Sequence, residues 1–201
     1  MHATSEQPHR SYRQALAGGV ISHWSFSSGF TIMEMIVTIG IFAMMTLLYT
    51  ANFKGFQFGL AVESNADQLV SSLRQAQLWA LTGELVGGSR PDGGYGVTLT
   101  SPCTSGVCTF TVFGDTCSPT LHQYDNGCDT VIRTEKLNSQ VSVTSVTPSS
   151  PLTVISTFPT SESYVNATKG QSATITLTHR AQTEKVKTIS FDGVSGQITI
   201  Q

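Results

Sequence analysis

Residues 30–48 read FTIMEMIVTIGIFAMMTLL, an apolar run whose only charge is Glu34. A bilayer's hydrocarbon core is about 30 Å thick and takes about 20 apolar residues to cross as a helix. The stretch 30–49 supplies them. The apolar part of a secretory signal usually runs about 7–15 residues and ends in an A-x-A-like site. This run is longer, and no such site comes after it. A buried core helix is also disfavoured, because the run is apolar on every face. The segment therefore reads as a transmembrane helix. Arg10 and Arg13 precede it and Lys54 comes after it. The positive-inside tendency then keeps the N-terminus cytoplasmic and exports the C-terminal region.

Glu34 needs an explanation. A carboxylate at the centre of a membrane helix costs about 2.5–3.5 kcal/mol on insertion scales, so such groups usually have a partner and a purpose. No basic residue lies within helical reach of Glu34 in this chain. Its partner must come from another molecule or be a newly made N-terminus.

Helical periodicity continues past residue 49. Val62, Ala66, Leu69, Leu73, Ala76 and Ala80 recur at spacings of three and four and make one apolar face. Glu63, Ser64, Asp67, Ser71, Arg74 and Gln75 fill the other sides, and Thr82-Gly83 then Gly87-Gly88 are stop signals. One helix over 30–81 would be about 78 Å long at about 1.5 Å per residue. No compact domain of this size contains such a helix, so its first half is expected to protrude. Gly40, Gly55 and Gly59 fall within it. Gly55 and Gly59 mark either a stretch able to unwind or bend, or simple tolerance of glycine.

After Arg90-Pro91-Asp92-Gly93-Gly94 the period becomes two. Candidate strands are 95–100, 107–113, 131–137, 141–146, 152–158, 173–179, 185–191 and 197–201, the last three joined as a meander. The apolar face of 62–80 needs a partner, and a sheet is available. The fold class is therefore α+β: a long N-terminal helix, transmembrane in its first half, packed on an antiparallel β-sheet head. The domains are 1–29, a leader; 30–86, the helix, with 30–49 in the membrane; and 87–201, the head.

Ser28-Gly29-Phe30-Thr31-Ile32-Met33-Glu34, set against the apolar run, resembles the signature of type IV pilins. In that family a membrane prepilin peptidase cuts after the glycine and methylates the new N-terminal Phe. The resemblance implies cleavage between Gly29 and Phe30, a pilin-like fold, and assembly through the N-terminal helix. The Phe30 amine of one subunit would then pair with Glu34 of a neighbour, and burial would penalise any subunit left unpaired. Four further segments are similar to the GspH/FimT group of minor pseudopilins: 69–80, Asp92-Gly93-Gly94-Tyr95-Gly96-Val97, Val112-Phe113-Gly114-Asp115 with 124–132, and the ending 191–199. The leader is longer than many in the family, and the family's common mid-helix proline is absent.

Cys103, Cys108, Cys117 and Cys128 all lie in the head. An even count in an exported region reads as disulfides; a four-thiolate zinc site is the alternative, although only the first gap approaches zinc spacing. Four cysteines allow three connectivities. The expected pairing is Cys103–Cys108 across a short turn and Cys117–Cys128 across a loop of about a dozen residues. Asp115, Asp125 and Asp129 are weak candidates for calcium, without EF-hand spacing. No phosphate loop, zincin motif or nucleophile elbow is present, and cysteines held in disulfides cannot serve as nucleophiles. Neither an enzyme nor a cofactor is expected. The net charge is −2 with no basic stripe, so nucleic acid is not expected as a primary ligand.

The expected function is that of a structural subunit of a type IV pilus or type II secretion pseudopilus. Its partners would be a prepilin peptidase, other pilin or pseudopilin subunits, an inner-membrane assembly platform and membrane lipid. It would be a single-pass inner-membrane protein with an exported head, then part of a periplasmic or surface filament. The alternatives are a major pilin of an adhesion, motility or DNA-uptake fibre, and an anchored binding protein that never polymerises.

Overall fold

The structure is a computed structural model and describes residues 29–103 and 106–201, without the side chains of 51–54. The leader up to Ser28 lies outside the described residues. Contacts divide the chain into two compact units, Met1–Met44 and Met45–Gln201.

A single helix, α1, runs Ile32–Thr82. Thr31 starts it by accepting the Glu34 backbone N–H on its hydroxyl at 3.2 Å. Gly40, Gly55 and Gly59 do not interrupt it. Gly83 stops it, with φ of 66° and N–H bonds from Gly83 and Glu84 back to the Trp79 carbonyl. A left-handed glycine is the ordinary end of a helix, because a β-carbon is penalised there. A β-carbon at Gly83 would also lie 2.7 Å from the Arg90 guanidinium, which donates to the Gly83 carbonyl and sits 4.0 Å over the Phe158 ring.

In the first unit, the described residues form the start of α1 and the three residues before it. The apolar side chains there are exposed, among them Ile32, Met33, Ile36, Ile39 and Phe42. The helix is long and apolar enough to cross a membrane.

In the second unit, ten strands form two antiparallel sheets. They are β1 (Gly94–Leu99), β2 (Thr109–Asp115), β3 (Thr130–Lys136), β4 (Val141–Thr147), β5 (Leu152–Ser156), β6 (Ser163–Val165), β7 (Thr168–Lys169), β8 (Ala173–His179), β9 (Val186–Phe191) and β10 (Ile198–Ile200). One sheet has the order β3-β2-β1-β5-β6-β7 and the other β10-β9-β8-β4. An α+β layout is therefore observed. The single sheet expected from sequence is instead two, and the short β6–β7 hairpin is an addition.

The face expected from periodicity is the buried one. Val62, Ala66, Leu69, Leu73, Ala76 and Ala80 share one apolar cluster with Tyr95 and Val97 of β1, Leu152 of β5, and Ile175 and Leu177 of β8. Burying a Leu or Val side chain contributes about 1.5–3 kcal/mol, so this face dominates docking of the helix. Polar contacts fix its register. The Asn138 N–H donates to Asn65 Oδ1 at 2.7 Å, Gln68 Nε2 donates to Glu135 Oε2 at 2.6 Å, and Gln77 Nε2 donates to the Gly196 carbonyl at 2.7 Å. Arg133 ties β3 to the helix by donating to Ser72 Oγ at 3.2 Å while paired with Glu135 at 2.6 Å.

Leu69 is fully buried, whereas Leu78 on the same helix is 56% exposed. Leu69→Ala is expected to destabilise the head by about 2–5 kcal/mol, and Leu78→Ala by less than about 0.5 kcal/mol. Chemical denaturation of the detergent-solubilised chain measures both; equal losses would contradict this core.

Candidate functional site

Gly29 and Phe30 are both non-helical and exposed, and the helix begins two residues later. Glu34 is also exposed. The spacing Thr31-x-x-Glu34 is that of a capping box, a role separate from any intermolecular pairing of Glu34. The half made by Thr31 is formed here. A carboxylate in the first turn also meets the positive end of the helix dipole, worth typically about 0.3–1 kcal/mol. That is smaller than the penalty for a carboxylate at mid-membrane depth. The position of Glu34 in the first turn is thus favourable for its carboxylate, but only modestly.

In the head, Cys103 pairs with Cys108 and Cys117 with Cys128 at disulfide distance, with Cα separations of 5.7 and 5.6 Å. Both separations suit a disulfide. The first closes the β1–β2 connection. Its Cys103 N–H donates to the Val143 carbonyl on β4, and Arg180 donates to the Gly106 carbonyl at 2.6 Å. That turn therefore joins the two sheets. The second closes the β2–β3 loop, and a loop of roughly this size is worth about 3 kcal/mol in the chain-entropy model.

The three aspartates organise the same loop. Asp129 accepts the N–H groups of Thr116 and Cys117 on Oδ1, at 3.0 and 3.2 Å, and that of Asp125 on Oδ2 at 2.7 Å. Asp125 accepts from the Thr120 hydroxyl. Asp115, fully buried at the end of β2, accepts the His122 N–H on Oδ2. Its Oδ1 is buried without a hydrogen-bond partner among the described residues. Gly93 lies against it: a β-carbon there would fall 2.1 Å from Asp115 Oδ2. The glycine-rich entry to β1 is thus explained by close packing on a buried carboxyl. Among the described residues, no three His, Cys, Asp or Glu side chains converge as metal ligands. The aspartates weighed for calcium act as acceptors for the loop's own donors.

Two features carry no signal in the sequence. His122 has φ of 69° and stacks its ring on Tyr164, 3.8 Å between centroids. His179, fully buried at the end of β8, accepts the Ala181 N–H on Nδ1 at 3.1 Å and faces Gln140 Oε1 through Nε2 at 3.3 Å. Its ring packs 4.5 Å from Phe58 of α1. No periodicity marks either contact.

Comparison of the chain with protein-family models, curated proteins and solved structures finds no match in any of the three.

Burial raises the Asp115 carboxyl from 3.8 to about 6; the His122 and Cys117 N–H groups oppose the rise, and the charges of Asp129 and Asp125 add to it. Between these values the folded chain holds a proton that the unfolded chain releases, so stability falls as pH rises through the window. The full effect is at most roughly 3 kcal/mol. Asp115→Asn should flatten this part of the profile between about pH 4 and pH 6 and leave the head at least as stable at neutral pH. Unfolding free energies of both proteins across this range measure it. An unchanged slope would show that Asp115 does not titrate there.

Proposed function

We propose that this chain is a structural subunit of a type IV pilus or a type II secretion pseudopilus. The observation that carries the proposal is the Gly29–Phe30 junction at the entry to a 51-residue helix. That helix exposes apolar side chains near its start and buries an apolar face from Val62 onward. One chain therefore carries a hydrophobic segment that seeks lipid or other helices, and a head with its own core. A prepilin peptidase would cut after Gly29, and the Phe30 amine would be methylated. The subunit would stand in the inner membrane with its head exported, held for assembly by a platform and by other pilin or pseudopilin subunits. Glu34 would then meet the Phe30 amine of a neighbour, where an unpaired charge in a helix bundle is costly.

A second reading is favoured by the Thr31–Glu34 cap. A Glu34 carboxylate that completed the capping box begun by the Thr31 hydroxyl would require no neighbouring subunit, which fits an anchored protein that never polymerises.

Mass spectrometry of the membrane-extracted protein tests processing. The mature chain is expected to begin at N-methylated Phe30, and Gly29→Ala to leave the leader attached. A mature start elsewhere, or normal cutting of Gly29→Ala, would contradict the assignment.

A further inference from the structure

The head contains a cleft of about 220 Å³ bounded by Thr98 and Thr153, Gln123 and Tyr124 of the disulfide-closed loop, the 149–151 turn and Asn166. We propose that it is a binding site for one neutral sugar ring.

No lining residue is charged. The larger cleft of about 680 Å³ differs in this respect: it includes Lys169 and Glu162, paired at 2.8 Å. An anion or cation has no counter-charge in the smaller cleft, so a neutral ligand is selected. Drug-sized ligands generally occupy clefts of about 300–1,000 Å³. A cleft below that range suits a single small ring.

Its polar groups are hydroxyls and amides with hydrogen-bonding capacity left over. Thr98 and Thr153 hydroxyls lie 3.1 Å apart, so one donates and the other keeps its proton for another acceptor. Ser149 Oγ accepts from Asn166 Nδ2 at 2.8 Å, and Ser150 Oγ accepts the Ser101 N–H at 2.8 Å. Each serine therefore retains its own O–H to donate. Tyr124 and Gln123 bring a phenolic hydroxyl and a side-chain amide to the same cleft. A polyhydroxylated ring offers acceptors and donors to all of these. Tyr124 adds an aromatic surface, fixed edge-on to Phe113 with 4.7 Å between centroids.

The walls are held before any ligand arrives. Asn166 Oδ1 accepts the Thr153 N–H at 2.7 Å, and Asn166 Nδ2 holds the 149–151 turn. The Tyr124 wall is fixed by Asp129, which grips the backbone of the 116–129 loop, and by the Cys117–Cys128 link. Side chains already fixed lose less conformational freedom on binding.

The test uses the full chain in zwitterionic micelles, because sugar-headed detergents would compete. Saturation-transfer NMR is run with methyl glucoside, methyl galactoside and methyl N-acetylglucosaminide, and with glucuronate as the charged comparison. At least one neutral glycoside is expected to bind saturably, and glucuronate more weakly. Tyr124→Ala and the exposed Gln123→Ala should each weaken binding about tenfold, the effect of losing one ordinary contact. Lys169→Ala in the larger cleft should change nothing. Should Tyr124→Ala lose its circular-dichroism signature, Gln123→Ala alone carries the comparison. Absence of saturable binding by every neutral glycoside, stronger binding of glucuronate, or wild-type binding by Gln123→Ala would overturn the proposal. The outcome is independent of processing and assembly.

Discussion

Burial of one face of α1 in a core shared with both sheets is the interaction on which the head depends. Val62, Ala66, Leu69, Leu73, Ala76 and Ala80 meet side chains from both sheets in one cluster. Neither sheet alone presents that whole surface: Tyr95 and Leu152 belong to one, Ile175 and Leu177 to the other. Asn65, Gln68, Ser72 and Gln77 then set how the helix lies, because each bonds a group outside the helix. The Cys103–Cys108 turn reaches β4, and the Cys117–Cys128 loop closes over Asp115. These links order the loops on a core that the helix completes.

The same helix faces a different problem at its start. From Phe30 to Tyr49 the large apolar side chains stand exposed. A water-soluble surface rarely carries a continuous apolar patch larger than a few hundred Å². Lipid or neighbouring helices would remove that cost, and a helix satisfies its own backbone in either setting. The pilin reading assigns lipid first and neighbouring subunits later. Glu34 is the one charged residue in the stretch, which is why the proposal turns on it.

Much of the fold is legible in the sequence because burial imposes periodicity. The helix face at 62–80 and the strand at 173–179 emerge from spacings of three to four and of two. The β6–β7 hairpin is not legible. Its strands span three and two residues and turn at Asn166-Ala167, both with positive φ, too short a stretch to establish alternation. The division into two sheets is equally hidden, since β4 pairs with β8 rather than β5 across a long sequence separation. At the candidate sites, residue types are readable but their uses are not. Asp115, Asp125 and Asp129 have the chemistry of cation ligands, yet the donors that occupy them, backbone N–H groups at Asp115 and Asp129 and the Thr120 hydroxyl at Asp125, come from loop geometry. Thr31-x-x-Glu34 is readable as a capping box, but an intramembrane carboxylate's need for a partner points away from the cap and toward another molecule.

The central claim is that the charge of Glu34, not its contribution to the cap, positions the subunit in a filament. Glu34→Gln separates the two, because glutamine serves a capping box as glutamate does but carries no charge. The decisive measurement compares this variant with the wild type in membrane fractions and in sheared filaments, or in crosslinks to partner pilins. The account predicts that Glu34→Gln is inserted at least as well as the wild type, since the cost of burying a carboxylate is gone. It also predicts a fall in filament incorporation to the level of Glu34→Ala. Incorporation of Glu34→Gln at the wild-type level, with Glu34→Ala impaired, would contradict the account and assign Glu34 to the helix cap.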